Sequence, residues 1–258
     1  MLSCSRRARK ARSRQVQEEK LLILPGTGLS FLFQRDGCRT LRMSVMADGT
    51  VRVKAPLHLG MEEVFSFMHA RLAWVRAKQD FFAAHRGAPA EFRAGASVYY
   101  LGRSFTLRTT DAGRNARACL RGTELELPCP LTGHDSEALE RAFVRWRLET
   151  AKLVLGRRLA RLEKYARDVL GDAQAPASLT VRSLKRRWGS CSARGDITLA
   201  AQLIALPLPL IDYVLCHELC HLRHMNHSPS FHALLLRLLP DAKSRAARIH
   251  IWALEHPR

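Results

Sequence analysis

The chain has 258 residues, 47% of them hydrophobic, with only 11 prolines; this excludes a disordered or fibrous polymer and leaves one large folded domain or two small ones. No apolar run approaches the roughly 18–20 residues that cross a membrane, and the basic first twenty residues hold no secretory apolar stretch. The 42 Lys and Arg against 23 Asp and Glu make a formal charge of +19, which favours nucleic acid, anionic surfaces or acidic substrates and says nothing about fold.

Arg6, Arg7, Arg9, Lys10, Arg12 and Arg14 predict a disordered basic arm over 1–20. A mitochondrial presequence is the other reading of that arm. Leu21–Leu24 and Leu29–Phe33 are short apolar runs broken by Pro25-Gly26, which predicts two strands. Leu41, Met43 and Val45 alternate with polar residues, and Val51 and Val53 alternate back after Asp48-Gly49. That is a hairpin with a two-residue turn. Val64, Met68, Leu72 and Val75 recur at helical spacing, predicting one helix from Met61 to about His85, stopped by Gly87 and Pro89. Val98–Leu101 with Phe105–Leu107, and Ala116–Leu120 with Leu125–Leu127, predict two more hairpins around Gly102-Arg103 and Gly122.

Residues 21–130 therefore read as a β-hairpin-rich region with one helix, and Pro128–Gly133 as a linker. Beyond it, Leu139, Phe143, Trp146, Leu153, Leu159, Leu162 and Val169 mark a long amphipathic helix ending at Gly171. Strands follow at Leu179–Leu184, Arg187–Cys191 and Ile197–Leu203, with a turn at Arg194-Gly195. Pro207 and Pro209 introduce a further helix. Two more close the chain, Pro229–Leu239 and Ala242–Leu254, the latter with Asp241 as its cap. No internal repeat is visible. The fold class is α+β, with 134–258 arranged as long helix, small antiparallel sheet, motif helix and closing helices.

The motif helix carries the chemistry. His217, Glu218 and His221 spell H-E-x-x-H, and residues four apart lie on one helical face, so both imidazoles can grip one metal ion with Glu218 beside it as a proton acceptor. On a continuing helix His224 would lie roughly 10 Å along the axis from His217, too far to share an ion whose bonds to nitrogen are about 2.0–2.1 Å. The third ligand is expected after a break: Asn226 tolerates a left-handed end, and Ser228-Pro229 reads as the cap and first residue of the next helix. His227 lies in that corner. His224 reads as a solvated or supporting histidine, and His232 as a competitor for the third position.

The seven cysteines, at 4, 38, 119, 129, 191, 216 and 220, form no small-domain framework and point to reduced thiols in the cytoplasm. Cys216 and Cys220 are each one residue off the histidine positions, which predicts buried packing. Arg182, Lys185, Arg186, Arg187 and Arg194 form a second basic cluster next to the strands that precede the motif.

With the motif and its flanks in view, the C-terminal half resembles the YgjP-like metal-dependent hydrolases, a bacterial branch of the zincin peptidases. The matching stretches are Arg187-Trp188-Gly189-Ser190-Cys191-Ser192, Asp212-Tyr213-Val214, His217-Glu218-Leu219-Cys220-His221, and Asn226-His227-Ser228 with Phe231. The resemblance runs from about residue 38 onward and is strongest over 180–235. It implies a zincin-like domain, zinc held by His217, His221 and His227, and a catalytic Glu218. His232 departs from the pattern, since the family usually has Trp there.

The expected activity is hydrolysis of a peptide bond, with one Zn²⁺ per chain and Glu218 as general base. Arg187–Ser192 is expected as a strand where an extended peptide adds by main-chain pairing, or as packing under the metal helix. Tyr213, one turn before His217, is expected to pack in the core or to donate to the oxyanion. Two other classes remain open. One is a protease resembling the SprT-like zincins, bound to nucleic acid through the arm and the Arg182–Arg194 cluster. The other is a non-catalytic, zinc-stabilised basic binding protein, against which the retained Glu218 counts.

Overall fold

The computed structural model describes residues 18–87, 92–110, 117–129, 136–171, 174–184 and 187–256. The arm over 1–17, most of the expected linker, and Lys185 and Arg186 of the second basic cluster lie outside the described residues. The architecture is α+β, and packing divides the chain into Met1–Arg86 and Gly87–Arg258.

In the first unit, strands β1 (Lys20–Ile23), β2 (Ser30–Asp36), β3 (Arg42–Val45) and β4 (Val51–Pro56) form a sheet in the order β1-β2-β4-β3. Both hairpins are antiparallel, and the central pair β2 and β4 is parallel. Alternation turns Phe31, Phe33, Val51, Val53 and Ala55 to one face, where they pack on Val64, Met68 and Val75. The expected two-residue turn is a three-residue loop. Met46 N–H donates to the Thr50 carbonyl, Gly49 N–H donates to the Met46 carbonyl, and Gly49 takes φ +87°. The single helix expected over 61–85 is two, α1 (Met61–His69) and α2 (Leu72–Ala84). No Gly or Pro breaks it. Arg71 N–H reaches back only three residues, to the Met68 carbonyl, while its guanidinium covers the Phe67 ring and donates to the Phe67 carbonyl.

The second unit opens with β5 (Ser97–Tyr100), β6 (Arg103–Thr110), β7 (Cys119–Arg121) and β8 (Glu124–Pro128), ordered β5-β6-β8-β7 with a parallel central pair. The strand order and pairing senses of the first sheet thus recur, a repeat of topology that residue identities do not reveal. Val98, Phe105, Leu107, Leu125 and Leu127 pack on Leu139 and Phe143 of α3 (Ser136–Leu170), a 35-residue helix. Farther along α3, Ala151, Leu155 and Leu159 turn toward the third sheet.

That sheet, β9 (Ser178–Arg182), β10 (Gly189–Cys191) and β11 (Asp196–Ala200), has the order β10-β11-β9. β10 and β11 pair antiparallel as expected, whereas β11 and β9 pair parallel. The strand expected over Ile197–Leu203 stops at Ala200, and Ala201–Ala205 coil into a 3₁₀ turn. A distant hairpin accounts for this. Leu101 and Gly102, both at positive φ, donate their N–H groups to the Ile204 and Ala205 carbonyls at 2.7 and 3.0 Å.

Helices α4 (Leu208–His221), α5 (Pro229–Leu238) and α6 (Ala242–Glu255) complete the unit. Asp241 occupies the N-cap position of α6, but its carboxylate pairs with Arg245 at 2.8 Å and caps no backbone N–H. Among the described residues no helix is long and apolar enough to cross a membrane.

Candidate metal centre

Helix α4 is buried on most of its circumference, and each face meets a different neighbour. Leu210, Ile211, Val214, Leu215 and Leu219 enter the core under the third sheet, while Cys216 and Cys220 enter the core shared with α5. Both thiols are buried, and burial pushes each up to about 12, so they pack as apolar groups. The remaining face carries His217, Glu218 and His221. Arg158 of α3 grips Asp212 of α4 with two hydrogen bonds, 2.5 and 2.6 Å, fixing the helix one turn before that face.

After His221 the helix tightens, with Leu222 N–H donating to Leu219 and both Arg223 and His224 donating to Cys220. The expected left-handed end at Asn226 is not formed: Leu101 is the one described non-glycine residue at positive φ. The tightened carbonyl pattern turns the chain instead. Ser228 then caps α5, its hydroxyl accepting from Phe231 N–H at 3.4 Å, as the Ser-Pro pair predicts.

This path brings His217, His221 and His227 together. Nε2 of His217 lies 3.2 Å from Nε2 of His221 and 3.0 Å from Nε2 of His227, and one ligand atom from each falls within 4.8 Å of the others. Nitrogens about 2.0–2.1 Å from a tetrahedral ion would be about 3.3 Å apart. Phe231 of α5 is fully buried, with its ring centroid 4.7–4.9 Å from all three imidazoles. It is the floor on which the rings stand.

Protonation favours ligation. His221 Nδ1 donates to the His224 carbonyl at 2.9 Å, which leaves Nε2 as the bare nitrogen. Burial, reinforced by His221, His227 and His232, pushes His217 down to about 4, and burial likewise lowers His227. The donor set therefore fits a divalent ion that prefers nitrogen. Two polar atoms beside it, His217 Nδ1 and Glu218 Oε2, are buried without a hydrogen-bond partner.

Glu218 is 4% exposed. Burial pushes its carboxyl up to about 7, opposed by the nearby Arg187 guanidinium. The space for that carboxylate exists because residue 189 is glycine: a Cβ there would fall 2.6 Å from Glu218 Oε1 and 3.0 Å from its Cγ and Cδ. The structural part of Gly189 is not apparent in the sequence, where Trp188-Gly189 reads only as strand or packing.

The other candidates are spread around this centre. His224 contributes its backbone carbonyl, and the exposed His232 keeps its ring 6.4 Å from that of His227. Tyr213 packs against two cores with its ring 6.0 Å from that of His217, and burial raises its phenol. Trp188 packs against the third-sheet core, and β10 forms the edge of its sheet. Of the second basic cluster, Arg182, Arg187 and Arg194 are exposed.

A family model described as YgjP-like, metallopeptidase domain, matches residues 39–250. No curated protein matches the chain. Among solved structures, the chain is similar to the metallopeptidase zymogen of Pyrococcus abyssi abylysin, at 31% identity and a TM-score of 0.34. That match covers 38% of this chain and 97% of the other.

Proposed function

The chain belongs to the YgjP-like metallopeptidase family, and from that premise we propose that it is a zinc-dependent peptidase in which His217, His221 and His227 hold one Zn²⁺ and Glu218 is the general base. The observation that carries this reading is the convergence of two imidazoles on one face of α4 with a third from the segment before α5, beside a buried carboxyl. When bound, the zinc supplies Lewis acidity, lowering the pKa of water toward 7 and polarising a carbonyl.

The protein's own groups do the rest. Glu218, with its carboxyl pushed up to about 7, accepts a proton from the attacking water as the new C–O bond forms. It returns that proton to the nitrogen as the C–N bond breaks. The His224 carbonyl holds the His221 ring in one tautomer, and Phe231 fixes where all three rings stand. The outer edge of the half-buried strand β10 offers main-chain partners to an extended peptide, beside the carboxyl that Gly189 accommodates. The six described cysteines are free thiols, which supports a reducing, cytoplasmic setting.

Elemental analysis of protein purified without added metal tests the ligand set. The wild type is expected to hold near one zinc per chain and His227→Ala clearly less; zinc retained by the variant would move the third ligand elsewhere. Glu218→Gln is expected to keep the zinc and lose peptide cleavage by about 10²–10⁴-fold. Equal cleavage by that variant would remove Glu218 as the base, and zinc retained without cleavage by either protein would leave a non-catalytic, zinc-stabilised protein.

A further inference from the structure

A cavity of ≈ 420 Å³ has two of its walls in segments that follow the reacting groups along the chain, and Gln174 and Ala175 complete its lining. Ser192, Arg194 and Gly195 form one wall, in the turn that leaves β10, the strand whose Gly189 faces Glu218. Leu222 and Met225 form the other, in the segment directly after His221. From Gly189 to Ser192 is three residues, about 10 Å of extended chain. A peptide lying along β10 therefore brings the side chain two or three residues from its scissile bond to this cavity.

The chemistry of the walls is specific. Leu222 and Met225 are apolar, and Met225 is 52% exposed. Arg194 is the one charged residue among those lining the cavity, and it is exposed. Asp196 stands close enough to feel its charge, and its two oxygens accept from the Ser178 and Ser192 hydroxyls at 2.7 and 2.9 Å, which hold that carboxylate in the turn. The Ser192 oxygen in turn accepts the N–H groups of Arg194 and Asp196 at 3.2 and 3.1 Å. Every hydrogen-bonding position of that hydroxyl is thus used, which makes the turn carrying Arg194 a firm support.

We propose that this cavity is a substrate subsite for an acidic side chain, whose methylenes lie on Leu222 and Met225 and whose carboxylate is held by Arg194. The assignment rests on the peptidase reading and names a specificity that the reading leaves open. Arginine suits the position because its planar fork meets a carboxylate with two hydrogen bonds.

The test separates the subsite from the protein's overall charge and from catalysis. A random octapeptide library is captured on immobilised, full-length Glu218→Gln protein, and the enrichment of each residue at each position is read by mass spectrometry. The same is done with Arg194→Glu and Arg194→Lys introduced into that protein. The wild-type cavity is expected to enrich Asp and Glu about fivefold at one position, the scale of a partly exposed charge pair. Arg194→Lys keeps the peak at lower enrichment, because the charge stays and the fork is lost, whereas Arg194→Glu abolishes it or replaces it with Lys and Arg. Acidic enrichment spread evenly over all positions, or a peak unmoved by Arg194→Glu, would overturn the subsite. Cleavage of the same library by protein with Glu218 intact decides the hydrolytic reading separately. A peak without cleavage keeps the subsite and removes the peptidase, and cleavage without a peak does the reverse.

Discussion

Replacing Gly189 with alanine adds one methyl group and tests whether β10 positions the Glu218 carboxylate. The backbone at 189 lies outside the left-handed region, so alanine brings no conformational strain. The added Cβ would stand 2.6 Å from Oε1, about 0.8 Å inside ordinary contact. Something must shift. The β10 backbone is tied to β11, and Cα of Gly189 pairs with Leu199, so the carboxylate is the group that yields. Displacing a reacting group by about 1 Å costs about 10²-fold in rate. Gly189→Ala is therefore expected to lose about 10²-fold in kcat/KM on a fluorogenic peptide while keeping its metal content and its Tm. Gly156→Ala is the control, because a Cβ there meets only Leu179 Cδ2 at an ordinary 3.9 Å. Full activity in Gly189→Ala with zinc retained would refute the claim that this strand sets the position of the base.

The metal-free protein should show the cost of burying Glu218. Below pH 4.5 its carboxyl is protonated whether the chain is folded or not; between 4.5 and about 7 only the unfolded chain ionises, so stability falls as pH rises and the full loss is present above 7. Glu218→Gln is then expected to stabilise the metal-free protein by about 3 kcal/mol at pH 8 and by little at pH 4; an equal effect at both pH values in thermal unfolding would sink this. Gly102→Ala places a Cβ 2.8 Å from Pro207 Cγ and 2.9 Å from its Cα at φ +81°. It should cost about 2–4 kcal/mol, seen as a lower Tm, and an unchanged Tm would mean that the hairpin turn does not brace the start of α4.

What was legible in the sequence was what local periodicity carries. The spacing of His217 and His221 follows from the helical repeat, and His227 follows from a break that Ser228-Pro229 announces. Alternation in Leu41–Val45 and Val51–Val53 likewise exposed a hairpin. What stayed hidden depends on partners far along the chain. Nothing near residue 201 foretells that Leu101 and Gly102 will take two carbonyls of the 3₁₀ turn, and nothing near 71 marks a helix break without Gly or Pro. A parallel partner for β11 has no turn signal, because β9 and β11 are separated by β10. Composition placed the division of the chain near residue 130. Packing groups the hairpins of 97–128 with α3 because Leu107, Leu125 and Leu127 meet Leu139 and Phe143.

Contacts between distant elements also hold the His217–Glu218–His221 face still. Arg158 fixes α4 from α3, Phe231 supports the imidazoles from α5, and Gly189 admits the carboxylate from β10. Each anchor comes from a different element, so no single local change can carry the three histidines and Glu218 together. Against this firm frame, His217 Nδ1 and Glu218 Oε2 are buried without partners, and burial holds Glu218 away from its ordinary ionisation. A folded chain tolerates such groups where function selects for them. Here the frame must be rigid because the face is intrinsically unfavourable: were α4 free to rotate, the carboxyl would turn to water and the three imidazole nitrogens would separate. The stability of the surrounding core is thus what keeps the centre in a state that its own groups disfavour.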